Sequence, residues 1–195
     1  MSAGLPARWS LPLRWLHWAM AALLMALLGL GLAMAYGTFD LGQTFALYQW
    51  HKSLGVLVLP LVALRLALRV GTAHPVSPPA IGRRARLEAA AARIVHALFY
   101  VLMLALPFTG WLVVSSSPLH LPTRPFNLFT LPDLVAPDAD LNAAMSLVHA
   151  TLAYLLLAVL ALHVAGAVKH WLVDRDRTAQ RMSLWPAPAP RGEQR

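Results

Sequence analysis

The feature that most limits what this chain can fold into is a set of four long apolar stretches, at about 15–36, 47–68, 94–115 and 144–172. A hydrocarbon layer about 30 Å thick is crossed by about 20 apolar residues in helical form, and each stretch reaches that length. None alternates apolar and polar residues, so a membrane β-barrel is not expected. Pro60 and Pro107 lie inside the second and third stretches. Membrane bundles accommodate such prolines because neighbouring groups satisfy the freed backbone. The charged fraction is 12%, against about a quarter in a soluble domain. The expectation is an all-α membrane protein, a four-transmembrane-helix bundle formed by residues 1–182, with 183–195 as a solvated tail. The first stretch exceeds a secretory h-region and carries His17 flanked by Trp15 and Trp18, so it reads as a retained helix.

A net charge of +8 on so apolar a chain admits two explanations, a nucleic-acid face or charges sorted across a membrane. Four crossings decide between them. Arg8, Arg14, Arg65, Arg69, Arg83, Arg84, Arg86, Arg93, Lys169, Arg175, Arg177, Arg181, Arg191 and Arg195 fall on one side, 14 of the 16 cations, and only Lys52 and Arg124 fall opposite. The eight acids divide four and four, so the sides carry +10 and −2. Positive loops stay in the cytoplasm, which places both termini there and makes nucleic-acid binding an unnecessary reading. The partner expected instead is the lipid bilayer, with anionic headgroups at the basic face.

Ionisable groups inside a bilayer are costly and mark function by default. His17, His51, His96, His149 and His163 lie in or near the spans; His170 ends the fourth, and His74 and His120 fall in loops. The topology puts His17 and His96 near the inner surface and His51 near the outer. On the fourth span, His149 and His163 are 14 residues apart. That is four helical turns, one face to within about 40° and about 21 Å of depth. Two haems stacked across a bundle need one axial ligand at each of two depths from one helix. His51 is the intramembrane partner for His149 in the outer layer, His120 being on a proline-flanked loop. In the inner layer, His17 and His96 are both candidates to pair with His163. With no cysteine in the chain, covalent C-x-x-C-H attachment is excluded and the haem is b-type. An iron with two imidazoles has no site left for oxygen, which points to electron transfer. A single membrane histidine is more often a helix–helix contact, and a proton relay is the competing use. The interiors of the spans carry no Asp or Glu, which weighs against a relay.

The segments RWLHW (14–18), WHKSLG (50–55), RLALR (65–69), HALFY (96–100), PFTG (107–110), HATLAYLLLAVLALH (149–163) and KHW (169–171), in this order, resemble the bacterial cytochrome b561 family from about residue 10 to Met182. The resemblance implies a four-helix, di-haem protein of the inner membrane that exchanges electrons with quinone. It implies His17, His51, His149 and His163 as the iron ligands, paired His17 with His163 and His51 with His149, and leaves His96 out. The closest-looking group, the superoxide oxidases, implies transfer from superoxide outside to ubiquinone. Membrane b subunits that link a dehydrogenase or hydrogenase to the quinone pool are the alternative the same superfamily implies.

Arg65 follows His51 by 14 residues and so reaches the inner layer at a similar azimuth. Arg65 or Arg69 is a candidate to hold a haem propionate, because a guanidinium suits a carboxylate. The ordinary alternative is snorkelling to headgroups, the stronger expectation for Arg69. Lys52 adjoins His51 and is a candidate for steering an anion such as superoxide, or an interfacial lysine. Arg124 has a weaker claim, from within the long loop. His170, about 10 Å beyond His163, is a candidate proton donor to quinone, or a solvated helix-end histidine. The tryptophans fit an aromatic belt, and Gly29, Gly31, Gly55 and Gly110 leave room for a helix or a porphyrin.

Overall fold

The computed structural model describes residues 8–73, 75, 81–119, 121–176 and 178–185. His74, His120, Arg177 and the end of the expected tail, 186–195, lie outside them. Four helices account for most of the described chain: α1 (Leu11–Tyr36), α2 (Leu41–Gly71), α3 (Arg83–Ser115) and α4 (Ala139–Leu172). Each is long and apolar enough to span a bilayer. Short 3₁₀ turns follow at Pro125–Asn127 and Ala179–Arg181. The β pairing among the described residues is one isolated bridge, Thr123 with Leu131.

The helices run past the apolar stretches because polar residues cap them outside the hydrocarbon. Asp40 and Gln43 form a capping box at the start of α2: Gln43 N donates to Asp40 Oδ1 at 2.8 Å, and Asp40 N donates to Gln43 Oε1 at 3.2 Å. Each satisfies an otherwise orphaned amide. Asp138 does the same for α4, accepting from Leu141 N at 2.9 Å. At α3 the helix begins eleven residues before the apolar run. Gly82, with φ +88, makes the left-handed turn that other residues adopt reluctantly, and Arg83 to Arg93 then form a polar helical extension. Pro60 and Pro107 stay within continuous helices.

Close packing runs in a chain, α1 on α2, α2 on α3 and α3 on α4. Direct approach of α4 to α1 or α2 is sparse, so α4 faces those helices across an interior space. Mid-bundle, Leu16 and Met20 of α1 close on Val58 and Val62 of α2 and Met103 of α3. Leu102 meets Leu156 and Val159 of α4 alongside. This apolar layer divides the interior into two ends. The outward faces carry large exposed side chains such as Met25, Leu64, Val101 and Leu162, as expected where lipid replaces water.

At the end where α1 begins, called here the basic end, the chain after α4 returns to α1. Arg8 Nη1 donates to Trp185 O at 2.7 Å, Arg14 Nη1 to Ser183 O at 2.7 Å and Trp18 Nε1 to Met182 O at 2.9 Å. Residues 183–185, expected as the start of a solvated tail, are instead held by these bonds. Arginine and indole donors that look like belt residues in the sequence find carbonyls of a segment about 170 positions away. At the opposite, loop end, residues 116–138 fold over the helix termini. Phe126 N donates to Ser53 Oγ at 3.0 Å, Leu134 N to Ser115 Oγ at 3.1 Å and Trp111 Nε1 to Pro132 O at 2.9 Å.

Candidate functional site: two pairs of facing imidazoles

Across the space between α4 and its partners, histidines meet at two levels. At the loop end, His51 of α2 and His149 of α4 face each other with ring centroids 6.1 Å apart. At the basic end, His17 of α1 and His163 of α4 are 6.2 Å apart. His96 of α3 also reaches His163, at 5.5 Å, and Phe99 sits edge-on to the same ring at 5.3 Å. All four sequence-predicted ligands are thus brought together as two pairs, with His163 flanked by both of its expected candidates. His96 lies on a more exposed position than His17.

The two levels hold their rings differently. Thr109 Oγ1 lies 3.0 Å from His149 Nδ1 and within 2.9 Å of Ala105 O and 3.0 Å of Leu106 O. A hydroxyl has one proton. Donated to the backbone carbonyl, it leaves the oxygen to accept from an Nδ1–H, which turns the other nitrogen of His149 into the interior. The bonds of Thr109 to Ala105 O and Leu106 O are the i−4 and i−3 contacts that a helical threonine makes to its own preceding turn. The sequence signal was a lone hydroxyl in the PFTG segment, and reading that segment for histidines alone passed over it. His51 Nδ1 is buried with no hydrogen-bond partner among the described residues.

Around the loop-end pair is a cavity of about 490 Å³, lined among others by Gly31, Lys52, Gly55, Gly110, Thr123 and Leu131. Sites for small ligands and cofactors span about 300–1,000 Å³. The glycines are what keep it open. A Cβ on Gly110 would lie 3.2 Å from His149 Cε1, one on Gly31 3.6 Å from His51 Cε1, and one on Gly55 would enter open space. Gly29, named with them from the sequence, is not on this wall.

At the basic end the partner is a cation. Arg65 Nη2 donates to His17 Nδ1 over a long 3.4 Å, while Arg65 Nη1 is buried without a partner. Arg65 therefore lies at the basic-end pair, at the level its spacing from His51 predicts. Arg69 neither reaches the pair nor runs free to headgroups; its guanidinium stacks on the rings of Trp9, at 5.6 Å, and Tyr100, at 6.0 Å. Beyond it, His170 Nδ1 lies 2.9 Å from Asp176 Oδ2 and 3.1 Å from Asp174 Oδ2. Lys169 joins Asp174 at 2.6 Å and Glu88 of α3 at 3.1 Å. His170 is thus clamped by two carboxylates rather than simply solvated. Lys52 is half-buried on the wall of the loop-end cavity, and Arg124 is exposed.

Such an arrangement defines a class: a multi-pass membrane protein whose helical bundle holds imidazoles in opposed pairs at two depths. The chain belongs to the prokaryotic cytochrome b561 family, whose sequence pattern matches residues 8–184. It is similar to two proteins of Escherichia coli (strain K12). Cytochrome b561 homolog 2 is 28% identical over 169 residues, covering 85% of this chain and 86% of that protein. Cytochrome b561 homolog 1 is 26% identical over 172 residues, covering 86% and 92%. Membership makes the chain a membrane electron-transfer cytochrome that binds b-type haem.

The residues present fit that group. An imidazole nitrogen binds a transition metal at about 2 Å and the ring centre lies about 1 Å further out, so two imidazoles on opposite sides of one ion have centroids about 6 Å apart. Both pairs have that separation. The glycine-cleared wall and the orphaned guanidinium nitrogen of Arg65 supply room and a carboxylate donor.

Proposed function

We propose that this protein is a di-haem b-type cytochrome of the bacterial inner membrane that carries electrons from superoxide at the outer face to ubiquinone. His51 and His149 hold the iron at the loop end, His17 and His163 the iron at the basic end. Both termini and the basic end lie in the cytoplasm, following the distribution of cations. The observation that carries the reading is the pair of centroid separations, 6.1 Å and 6.2 Å, at two depths on the same helix. The bound haems supply one-electron couples; the protein's part is to hold, tune and screen them.

Each residue has a task in that scheme. Thr109 orients His149, and hydrogen bonding to a ligand imidazole raises its basicity. Arg65 offers Nη1 to a carboxylate of the basic-end cofactor, which a guanidinium binds well. Lys52 raises the concentration of an anionic donor at the loop end. Its pull is local to the cavity, on a side that carries four carboxylates against two cations. Quinone reduction consumes protons. His170, clamped through Nδ1 by Asp174 and Asp176, presents its other nitrogen as the donor at the cytoplasmic face.

Mixing the purified, oxidised protein with superoxide in a stopped-flow cell tests this reading. The expected result is rapid appearance of reduced b-type bands, followed by reoxidation on adding a ubiquinone analogue. Two haems per chain without fast reduction would keep the cytochrome and remove superoxide as its donor. Copurification with a dehydrogenase, with activity only in its presence, would make the chain a membrane b subunit.

A further inference from the structure

Thr123 stands in the loop over the loop-end cavity, is 4% exposed, and its hydroxyl has no hydrogen-bond partner among the described residues. A valine would fill the same volume without the cost of desolvating a hydroxyl. The loop nevertheless takes trouble to seat it. Leu131 N donates to Thr123 O at 2.8 Å across the bridge. Two residues on, Pro125 is buried, and Phe126 and Asn127 adopt φ of +48 and +58. A left-handed Phe is a strained choice. That turn lets Phe126 N reach Ser53 Oγ, and Ser53 directly follows Lys52. The bond that fixes the loop thus also registers it against the residue carrying the ammonium group. Thr123 and Lys52 both line the cavity that also takes in His51 and His149.

We infer that Thr123 and Lys52 together form an oxyanion-binding corner of the loop-end cavity, the hydroxyl and the ammonium both donating to a carboxylate-like group. This rests on the di-haem reading above and adds to it a residue on the loop. Two sources carry such chemistry: a carboxylate of the cofactor held between His51 and His149, and a small anionic electron donor arriving at the rim.

Redox titration of purified full-length Thr123→Val, Thr123→Ser, Lys52→Met and Lys52→Arg, with haem counted in each, separates the sources. If the cofactor's carboxylate is bound, Thr123→Val and Lys52→Met each move one of two midpoints downward by about tenfold in the oxidised-to-reduced ratio, about 59 mV for one electron. Thr123→Ser and Lys52→Arg restore it. If a free anion is bound, the midpoints stay. Reduction by the dithionite anion radical then slows at least fivefold in both deletion variants, while reduction by neutral durohydroquinone is unchanged. Unchanged midpoints together with unchanged dithionite rates overturn the inference, and Thr123→Ala, read the same way, takes the place of Thr123→Val if that variant does not fold. A wild-type protein with fewer than two haems overturns the di-haem reading as well, a different result from two haems that ignore these substitutions.

Discussion

The two ends of the bundle hold imidazole pairs at nearly the same separation, 6.1 Å and 6.2 Å, in unlike surroundings. At the loop end the groups against the rings are the Thr109 hydroxyl and a wall thinned by glycines, with the Lys52 ammonium lining the same cavity. At the basic end they are a guanidinium, a third histidine and an aromatic ring. In the proposed ligation, like ligands with different second partners give one fold two potentials, because charge and hydrogen bonding around a metal tune it independently of the ligands. Steric substitutions at the glycines reach the loop-end rings, and a charge substitution at Arg65 reaches the other pair.

The largest effect breaks the symmetry outright. His51→Leu and His163→Leu, which leave no ligating atom, should each reduce the haem count from two per chain to one, read by pyridine haemochrome assay against protein. His96→Leu should leave two. Loss of a haem on changing His96, with retention on changing His17, would exchange those residues in the basic-end pair.

Next comes the orienting hydroxyl. Thr109→Val should weaken haem retention at the loop end about 10–100-fold, the usual cost of deleting an outer hydrogen-bond partner, with the basic end unaffected. Dialysis against apomyoglobin measures it. Equal loss from both ends would mean that Thr109 acts on helix packing instead. Arg65→Met should lower the basic-end potential by about tenfold in the equilibrium, about 59 mV, since removing a nearby cation favours the oxidised form. If both potentials hold, Arg65 has no carboxylate to bind.

Gly110→Ala sharpens the steric side. Its Cβ would lie 3.2 Å from His149 Cε1, and overpacking of this kind costs about 1–3 kcal/mol. The expected sign is a lower melting temperature and a broadened loop-end spectrum. Gly29→Ala, with nothing within 4 Å, is the silent control.

The smallest effect concerns the basic end alone. Burial pushes the Asp176 carboxyl upward, but the amide and hydroxyl of Thr178 and the imidazole of His170 outweigh it and hold the pKa below the usual carboxylate range. A depressed folded pKa means that this stabilisation is present at neutral pH and is lost as pH falls through the lowered value. Amide protection in residues 178–183, corrected for the intrinsic pH dependence of exchange, should therefore fall on acidification. In Asp176→Asn it should be low already at neutral pH and insensitive to acid.

The helices and the depths of the histidines were legible because both follow from periodicity: apolar length gives a span, and 14 residues return to one face. The polar extension of α3 was not, since Arg83 to Arg93 look like a loop when only apolar runs are counted. Arg65 was legible through its spacing from His51. Arg69 was misplaced because its stacking partner, Trp9, comes from another part of the chain. Thr109 and Thr123 escaped for a shared reason. A threonine signals nothing by type, and its meaning lies in whether its hydroxyl is satisfied, which only three-dimensional neighbours decide. The choice between His17 and His96 came from family resemblance, and both still lie beside His163.

The return of residues 182–185 to Arg8, Arg14 and Trp18 bears on how the protein is made. The first helix enters the membrane long before the segment that fastens it has been synthesised, and until then it is held chiefly through α2. Deleting residues 182–185 should therefore leave the four spans in place but free the first turns of α1, whose Arg14 and Trp18 side chains lose the carbonyls that hold them.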